Sequence, residues 1–170
     1  MFRTVFTRSS TLLNNKTAFV ASGKRFYADA VKSEDLLTFS LVLPHQTIYK
    51  DKKAPLITLP GAKGVFGVAK DHIPKIAELK PGVMQINHED GKEEKFFLSG
   101  GFAFINPDNT CYVNAIEAFP IEQLDQEAVK KGLAQYTQAY NDATEETAKA
   151  VALIGLESYQ QMAYACGVSV

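Results

Sequence analysis

The run Gly64-Val65-Phe66-Gly67-Val68, then His72-Ile73-Pro74, Pro81-Gly82 and Leu98-Ser99-Gly100-Gly101-Phe102, decides the fold class. Short apolar and aromatic runs are punctuated by glycine and proline, the pattern of a region built from short strands. Upstream, Leu36 to Leu43 alternates: Leu37, Phe39, Leu41 and Leu43 share one side, Thr38 and Ser40 the other, as in a strand with one buried face. Comparable runs lie at 47–49, 56–59, 65–68, 83–87, 95–98, 102–105, 111–115 and 117–119. Turn signals separate them at Lys50-Asp51-Lys52-Lys53, Pro60-Gly61, Pro81-Gly82, Asp90-Gly91, Gly100-Gly101 and Pro107-Asp108-Asn109. Asp90-Gly91 is the strongest, because both residues tolerate the positive φ of a tight hairpin. Strands at intervals of roughly ten residues, without crossover helices, predict an antiparallel β-sandwich or flattened barrel over residues 36–124.

Beyond Leu124 the apolar period changes from two to about three and a half. Val129, Leu133, Tyr136 and Tyr140 fall on one face of a first helix that Asp125 or a neighbour can cap. Asp142-Ala143-Thr144-Glu145 reads as a capping box for a second helix. Its expected stripe is Ala148, Val151, Ala152, Gly155, Leu156, Tyr159, Met162 and Cys166, with Gly167 placed to end it. The short connection predicts an antiparallel helical hairpin over 125–170, with Ala128, Gly132, Ala139, Ala152 and Gly155 allowing close approach. The fold class expected is therefore α+β: an N-terminal antiparallel β-sandwich followed by a C-terminal two-helix hairpin.

The net charge of −1 over 170 residues conceals a split. Arg3, Arg8, Lys16, Lys24 and Arg25 all precede the first acid, Asp29, among interspersed serines and threonines. Residues 1–27 thus read as an acid-free mitochondrial transit peptide, with Arg25-Phe26-Tyr27 ahead of a new N-terminus at Ala28 and an extension over 28–35. Without that leader, thirteen lysines face nineteen acids, about −6, which disfavours nucleic-acid binding. No run approaches the roughly 20 apolar residues of a membrane-spanning helix.

Chemistry is hard to place on this chain. His45, His72 and His88 are isolated, and Cys111 and Cys166 are too few and too far apart for a zinc site or redox pair. No catalytic residue, cofactor site or metal site is expected. Gly64-x-x-Gly67 lacks the Gly-Lys-Ser/Thr ending of a phosphate loop and precedes no helix. Gly64, Gly67, Gly100 and Gly101 read as structural glycines, the last two marking a kink where strands approach closely.

From about Glu34 to Cys166, the order of these motifs resembles the mitochondrial δ subunits of F-type ATP synthases, counterparts of the bacterial ε subunit. The resemblance implies a non-catalytic rotor subunit of the central stalk, peripheral on the matrix side of the inner membrane. Its implied partners are the γ subunit, the small mitochondrial ε subunit and the c-ring. Carried over residue by residue, the ring contact falls on Val65, Phe66, Lys70 and His72, with an apolar Val65 where bacterial members often carry an acid. Phe102, Phe104, Tyr136 and Tyr140 are candidates for γ or ε contact. Some bacterial relatives sense ATP through their C-terminal helices, so a nucleotide-sensing module is the alternative. Here Leu124 to Lys131 keeps the acid, but no arginine follows Arg25, and lysines lack the planar fork that grips phosphate. A cupin-like matrix enzyme is a third reading, opposed by the scattered histidines.

Overall fold

Alternating burial along strands such as Lys75–Leu79, Gly82–Asn87 and Thr110–Ala115 shows how the β region is assembled in the computed structural model, which describes residues 36–168. The expected leader, 1–27, and the extension, 28–35, lie outside the described residues. Ten strands form one continuous sheet: β1 (Leu37–Val42), β2 (Thr47–Ala54), β3 (Leu56–Gly61), β4 (Gly64–Ala69), β5 (Lys75–Leu79), β6 (Gly82–Asn87), β7 (Glu93–Leu98), β8 (Gly101–Ile105), β9 (Thr110–Ala115) and β10 (Ala118–Pro120). Their order is β10-β7-β6-β3-β5-β8-β9-β1-β2, with β4 on β3. The sheet folds on itself between β3 and β5. Leu56 to Thr58 pair with β6, whereas only Gly61 pairs with β5, opposite Leu79. Pro60 is tolerated here because only its carbonyl is needed, accepting from the Lys80 N–H at 2.9 Å.

The two resulting layers face each other across Phe39, Leu41, Ile57, Leu59, Val68, Met84, Ile86, Phe96 and Val113, all buried. Each such side chain contributes roughly 1.5–3 kcal/mol of hydrophobic stabilisation. Tyr49 of β2 stands edge-on to Phe39 of β1 and to Phe96 of β7, with centroids 5.5 and 6.0 Å away, so it joins strands from opposite layers. Pairing is antiparallel throughout except for β1 beside β9, which is parallel.

Two β expectations are corrected. Lys50-Asp51-Lys52-Lys53 is not a turn but the continuation of edge strand β2. Asp51 takes φ +48 at a register shift, and its N–H donates to the Ser40 hydroxyl at 3.0 Å. Turn-forming residues here make a bulge, and the lysines guard an exposed edge. Conversely, Lys75-Ile76-Ala77-Glu78-Leu79, read as no element, forms β5: its small Ala77 and Leu79 are buried while Ile76 is exposed.

Helix α1 (Gln126–Asp142) is capped as expected, the Asp125 carboxylate accepting from the Glu127 N–H at 2.9 Å. The Asp142 capping box does not form. The Ala143 N–H still bonds to the Ala139 carbonyl, so Asp142 is helical and cannot adopt the extended backbone of an N-cap. Helix α2 (Glu146–Ala165) instead starts after Glu145 and ends at Gly167, φ +69. There Val168 N–H bonds to Ala163 O and Gly167 N–H to Tyr164 O, a Schellman ending. The expected stripe of α2 is corrected too: Ala148 is exposed and Val151 is 67% exposed, while Ala163 is buried.

The helices interlock through reciprocal glycine–tyrosine contacts. A Cβ on Gly132 would lie 2.2 Å from the Tyr159 ring, and one on Gly155 would lie 2.2 Å from the Tyr136 ring. The two rings stack at 5.3 Å. Helix α2 packs against β6, and a 3₁₀ turn at Ile121–Gln123 touches β7. This cover explains Phe97. It points away from the sandwich core, yet it is fully buried and stacks on Phe119 at 6.3 Å.

Candidate functional site

The β3–β4 hairpin sets the geometry of one end of the sandwich. Gly61 pairs with Gly64 across Ala62-Lys63, and Ala62 N–H bonds to Glu78 O at 2.9 Å, which fastens the hairpin to β5. At the same end, Ile116 N–H bonds to Gly100 O and Ser99 N–H to Glu117 O. Gly100 (φ +132) and Gly101 (φ +144) lie there, and a Cβ on Gly101 would meet the Asn114 carbonyl oxygen at 2.1 Å. A shallow groove of about 630 Å³ opens there, its walls formed by Leu43, Pro44, Pro81, Gly101, Phe102 and Ile116.

The opposite end adds side-chain ties to backbone bonds such as Thr38 N–H to Asn109 O and Asn106 N–H to Thr110 O. Asp71 (φ +60) and Asn109 (φ +61) hold each other: Asp71 N–H donates to Asn109 Oδ1 at 2.7 Å and Asn109 Nδ2 donates to Asp71 Oδ1 at 3.3 Å. The β4–β5 and β8–β9 loops are thereby joined. Glu94 Oε2 receives the Tyr49 hydroxyl at 2.5 Å and lies 3.0 Å from His88 Nε2. Burial, then the hydrogen bond to Glu94 and its negative charge, push the Tyr49 phenol up to about 12.

The residues expected at a ring contact are thus divided. Val65, 71% exposed, and half-buried Phe66 begin β4 at the hairpin end; Lys70 and His72 follow it at the other. At about 3.3 Å per residue, Val65 and Lys70 are some 17 Å apart. Val65 and Phe66 lie in β4 and Lys70 and His72 in the loop after it, so the four residues share no single end of the molecule. Phe66 lies under the Lys75 ammonium, 4.3 Å from its ring centroid. His72 Nδ1 lies 2.7 Å from the adjacent Ile73 carbonyl, so that nitrogen is the donor.

Phe102, 51% exposed, and half-buried Phe104 project from the outer face of β8. Register places Ile76, Phe104 and Tyr112 side by side across β5, β8 and β9, with Phe102 two residues along. Ile76 is 71% exposed, and this apolar band on a sheet's outer face marks an interaction surface. Ile76 was missed with its strand, although the alternation of Ile76, Ala77, Glu78 and Leu79 carried the signal. Tyr136 is engaged inside the hairpin, whereas half-buried Tyr140 lies at its tip under Lys149, 5.0 Å away. Lys130 is held by Glu127 at 3.1 Å. Burial pushes the Cys111 thiol up to about 11, which keeps it protonated. Among the described residues, no three His, Cys, Asp or Glu side chains are placed to share a metal ion, and no helix is long and apolar enough to cross a membrane.

A tied β-sandwich with a docked helical hairpin and an apolar outer face defines a protein-interaction subunit. Residues 36–120 match the family of the ATP synthase delta/epsilon chain β-sandwich domain. The chain is 69% identical to a mitochondrial ATP synthase F(1) complex delta subunit of Dictyostelium discoideum, over 99% of each sequence. It is 37% identical to the mitochondrial ATP synthase delta subunit of Saccharomyces cerevisiae, over 95% of this chain and 99% of that one. A chain in a solved structure of the Euglena gracilis mitochondrial ATP synthase (OSCP/F1/c-ring, rotational state 1) superposes with a TM-score of 0.73 at 27% identity, covering 77% of this chain and 81% of that one. The chain belongs to the ATP synthase delta/epsilon family, among its mitochondrial delta subunits. It is a non-catalytic subunit of the mitochondrial ATP synthase.

Proposed function

We infer that the chain works in the rotor's central stalk, on the matrix side of the inner membrane, where its sandwich joins the γ subunit to the c-ring. The apolar band of Ile76, Phe102, Phe104 and Tyr112 is the observation that carries this reading. A flat sheet face of that composition is suited to a large, permanent partner such as γ. The hairpin end, with Val65 and Phe66, faces the ring. Its loops are held by backbone hydrogen bonds, so a sideways force on them passes into the sheet instead of being absorbed by loop bending. Lys70 and His72, at the opposite end, then lie outside a ring contact made there. The helical hairpin supports the sandwich through Phe97 and offers the tip around Tyr140 to the small ε subunit. Residues 1–27 direct import and are removed, leaving 28–35 as a short extension ahead of the β-sandwich, 36–124, and the hairpin, 125–170.

The reading is tested with Ile76→Glu. The variant should fold with unchanged thermal stability, because Ile76 is exposed, and should fail to co-purify with γ. Normal recovery of the stalk with this variant overturns the assignment of that face. Val65→Ser should likewise leave the isolated chain intact while lowering proton-driven ATP formation by reconstituted enzyme. Undiminished synthesis removes Val65 from the ring contact.

A further inference from the structure

We propose that the outer edge of β4 receives an extended, non-cationic backbone segment of another stalk subunit, which adds a strand to the sandwich beside Val65 and Gly67. The register settles which backbone groups are open. Pro60 directs its carbonyl to Lys80, toward β5, so its neighbours Leu59 and Gly61 turn theirs toward β4. Phe66 and Gly64 are therefore the bonded partners in the β3–β4 ladder, and Val65 and Gly67 turn N–H and C=O outward. Among the described residues, no backbone hydrogen bond outside that ladder engages Val65 or Gly67.

The two strands that end the sheet are guarded. β2 carries Lys50, Lys52 and Lys53 and a bulge at Asp51, while β10 is three residues long and ends in Pro120. β4 reads Gly-Val-Phe-Gly-Val-Ala, with no charge, no proline and no register shift against β3. An unguarded edge is a template for strand addition, so its persistence on a stably folded chain points to a partner that covers it. Alternating open donors and acceptors are matched only by another extended backbone. Lys63 at the adjoining turn and Lys75 over Phe66 bring positive charge to this corner, which disfavours a basic segment and suits a neutral or acidic one.

The inference rests on the stalk assignment only in taking another subunit as the source of the strand. The test uses the assembled ATP synthase and two readouts. Gly67→Pro removes an outward N–H and leaves the β3 ladder whole, so the isolated chain should still fold, whereas Gly67→Val keeps the N–H. Gly67→Pro should weaken incorporation into the complex about tenfold relative to Gly67→Val, the worth of one or two backbone hydrogen bonds. In unmodified protein, the Val65 and Gly67 amides should exchange with solvent deuterium at least about tenfold more slowly in the complex than in the free chain. Protection with normal incorporation of Gly67→Pro would mean side-chain contact only and overturns the added strand while leaving the stalk assignment intact. Fast exchange at both amides in the complex also overturns it. Should Gly67→Pro fail to fold, Val65→Pro against Val65→Thr makes the same comparison at the other outward amide, with normal incorporation of Val65→Pro again overturning the added strand.

Discussion

The two ends of the sandwich are tied in different ways. At the hairpin end, backbone groups bond to one another across Ala62–Glu78, Pro60–Lys80 and Gly100–Ile116, and side chains such as Val65 and Ile116 are left pointing into solvent. At the other end side chains add ties to backbone bonds such as Thr38–Asn109 and Asn106–Thr110, through Asp71 with Asn109 and through Glu94 with Tyr49 and His88. The lesson is one of availability. A polar side chain used to close a loop cannot also meet a partner, whereas a loop closed by its backbone keeps both stiffness and a free surface.

The largest expected effect breaks the backbone-tied end. Gly101→Val places a Cβ 2.1 Å from the Asn114 carbonyl oxygen at φ +144, a conformation that L side chains avoid. Strain and overpacking together should cost about 3–5 kcal/mol. Chemical denaturation of the isolated chain measures it. An unchanged midpoint would mean that the end is not held as described.

A smaller effect is expected where side chains do the tying. Asn109→Ala loses the hydrogen bonds to Asp71 and puts alanine, which tolerates the left-handed conformation less well than asparagine, at φ +61, for about 1–2 kcal/mol. Asn109→Gly should recover the conformational part but not the hydrogen bonds, giving an intermediate melting temperature. Equal losses for both variants would refute that division.

The smallest effect sharpens the comparison by pH. Tyr49 in the folded chain holds its proton up to about 12, against 10.0 ordinarily, because of burial first and Glu94 second. A raised pKa means that the folded state binds the proton more tightly. Its stabilising contribution is complete below pH 10 and is lost as pH rises from about 10 to about 12. Glu94→Gln should bring the Tyr49 titration part of the way back toward 10, followed by ultraviolet absorbance. It should not return fully, since burial remains. A titration identical to that of the unmodified chain would remove Glu94 from the network.

Particular residues show where reading the sequence stopped working. Asp125 and Gly167 were recognised as helix ends because capping depends on neighbours two to five residues away. Asp142 carried the same kind of signal and failed, because α1 continues through it. Lys50 to Lys53 looked like a turn because bulges and turns draw on the same residues. Among the candidate surface residues, Phe102 and Phe104 were found by their strand, but their companions Ile76 and Tyr112 became visible only through cross-strand register.

Sequence alone determined the short-strand β region, the switch to a helical period after Leu124, and the absence of acids before Asp29, since composition and local period carry each of these. Tertiary structure alone decided that β1 runs parallel to β9, that Phe97 is buried beneath helices, and that Val65 and His72 belong to different ends. These depend on contacts between residues far apart along the chain. Backbone pairing and side-chain packing select such contacts together, and no local stretch of sequence encodes them.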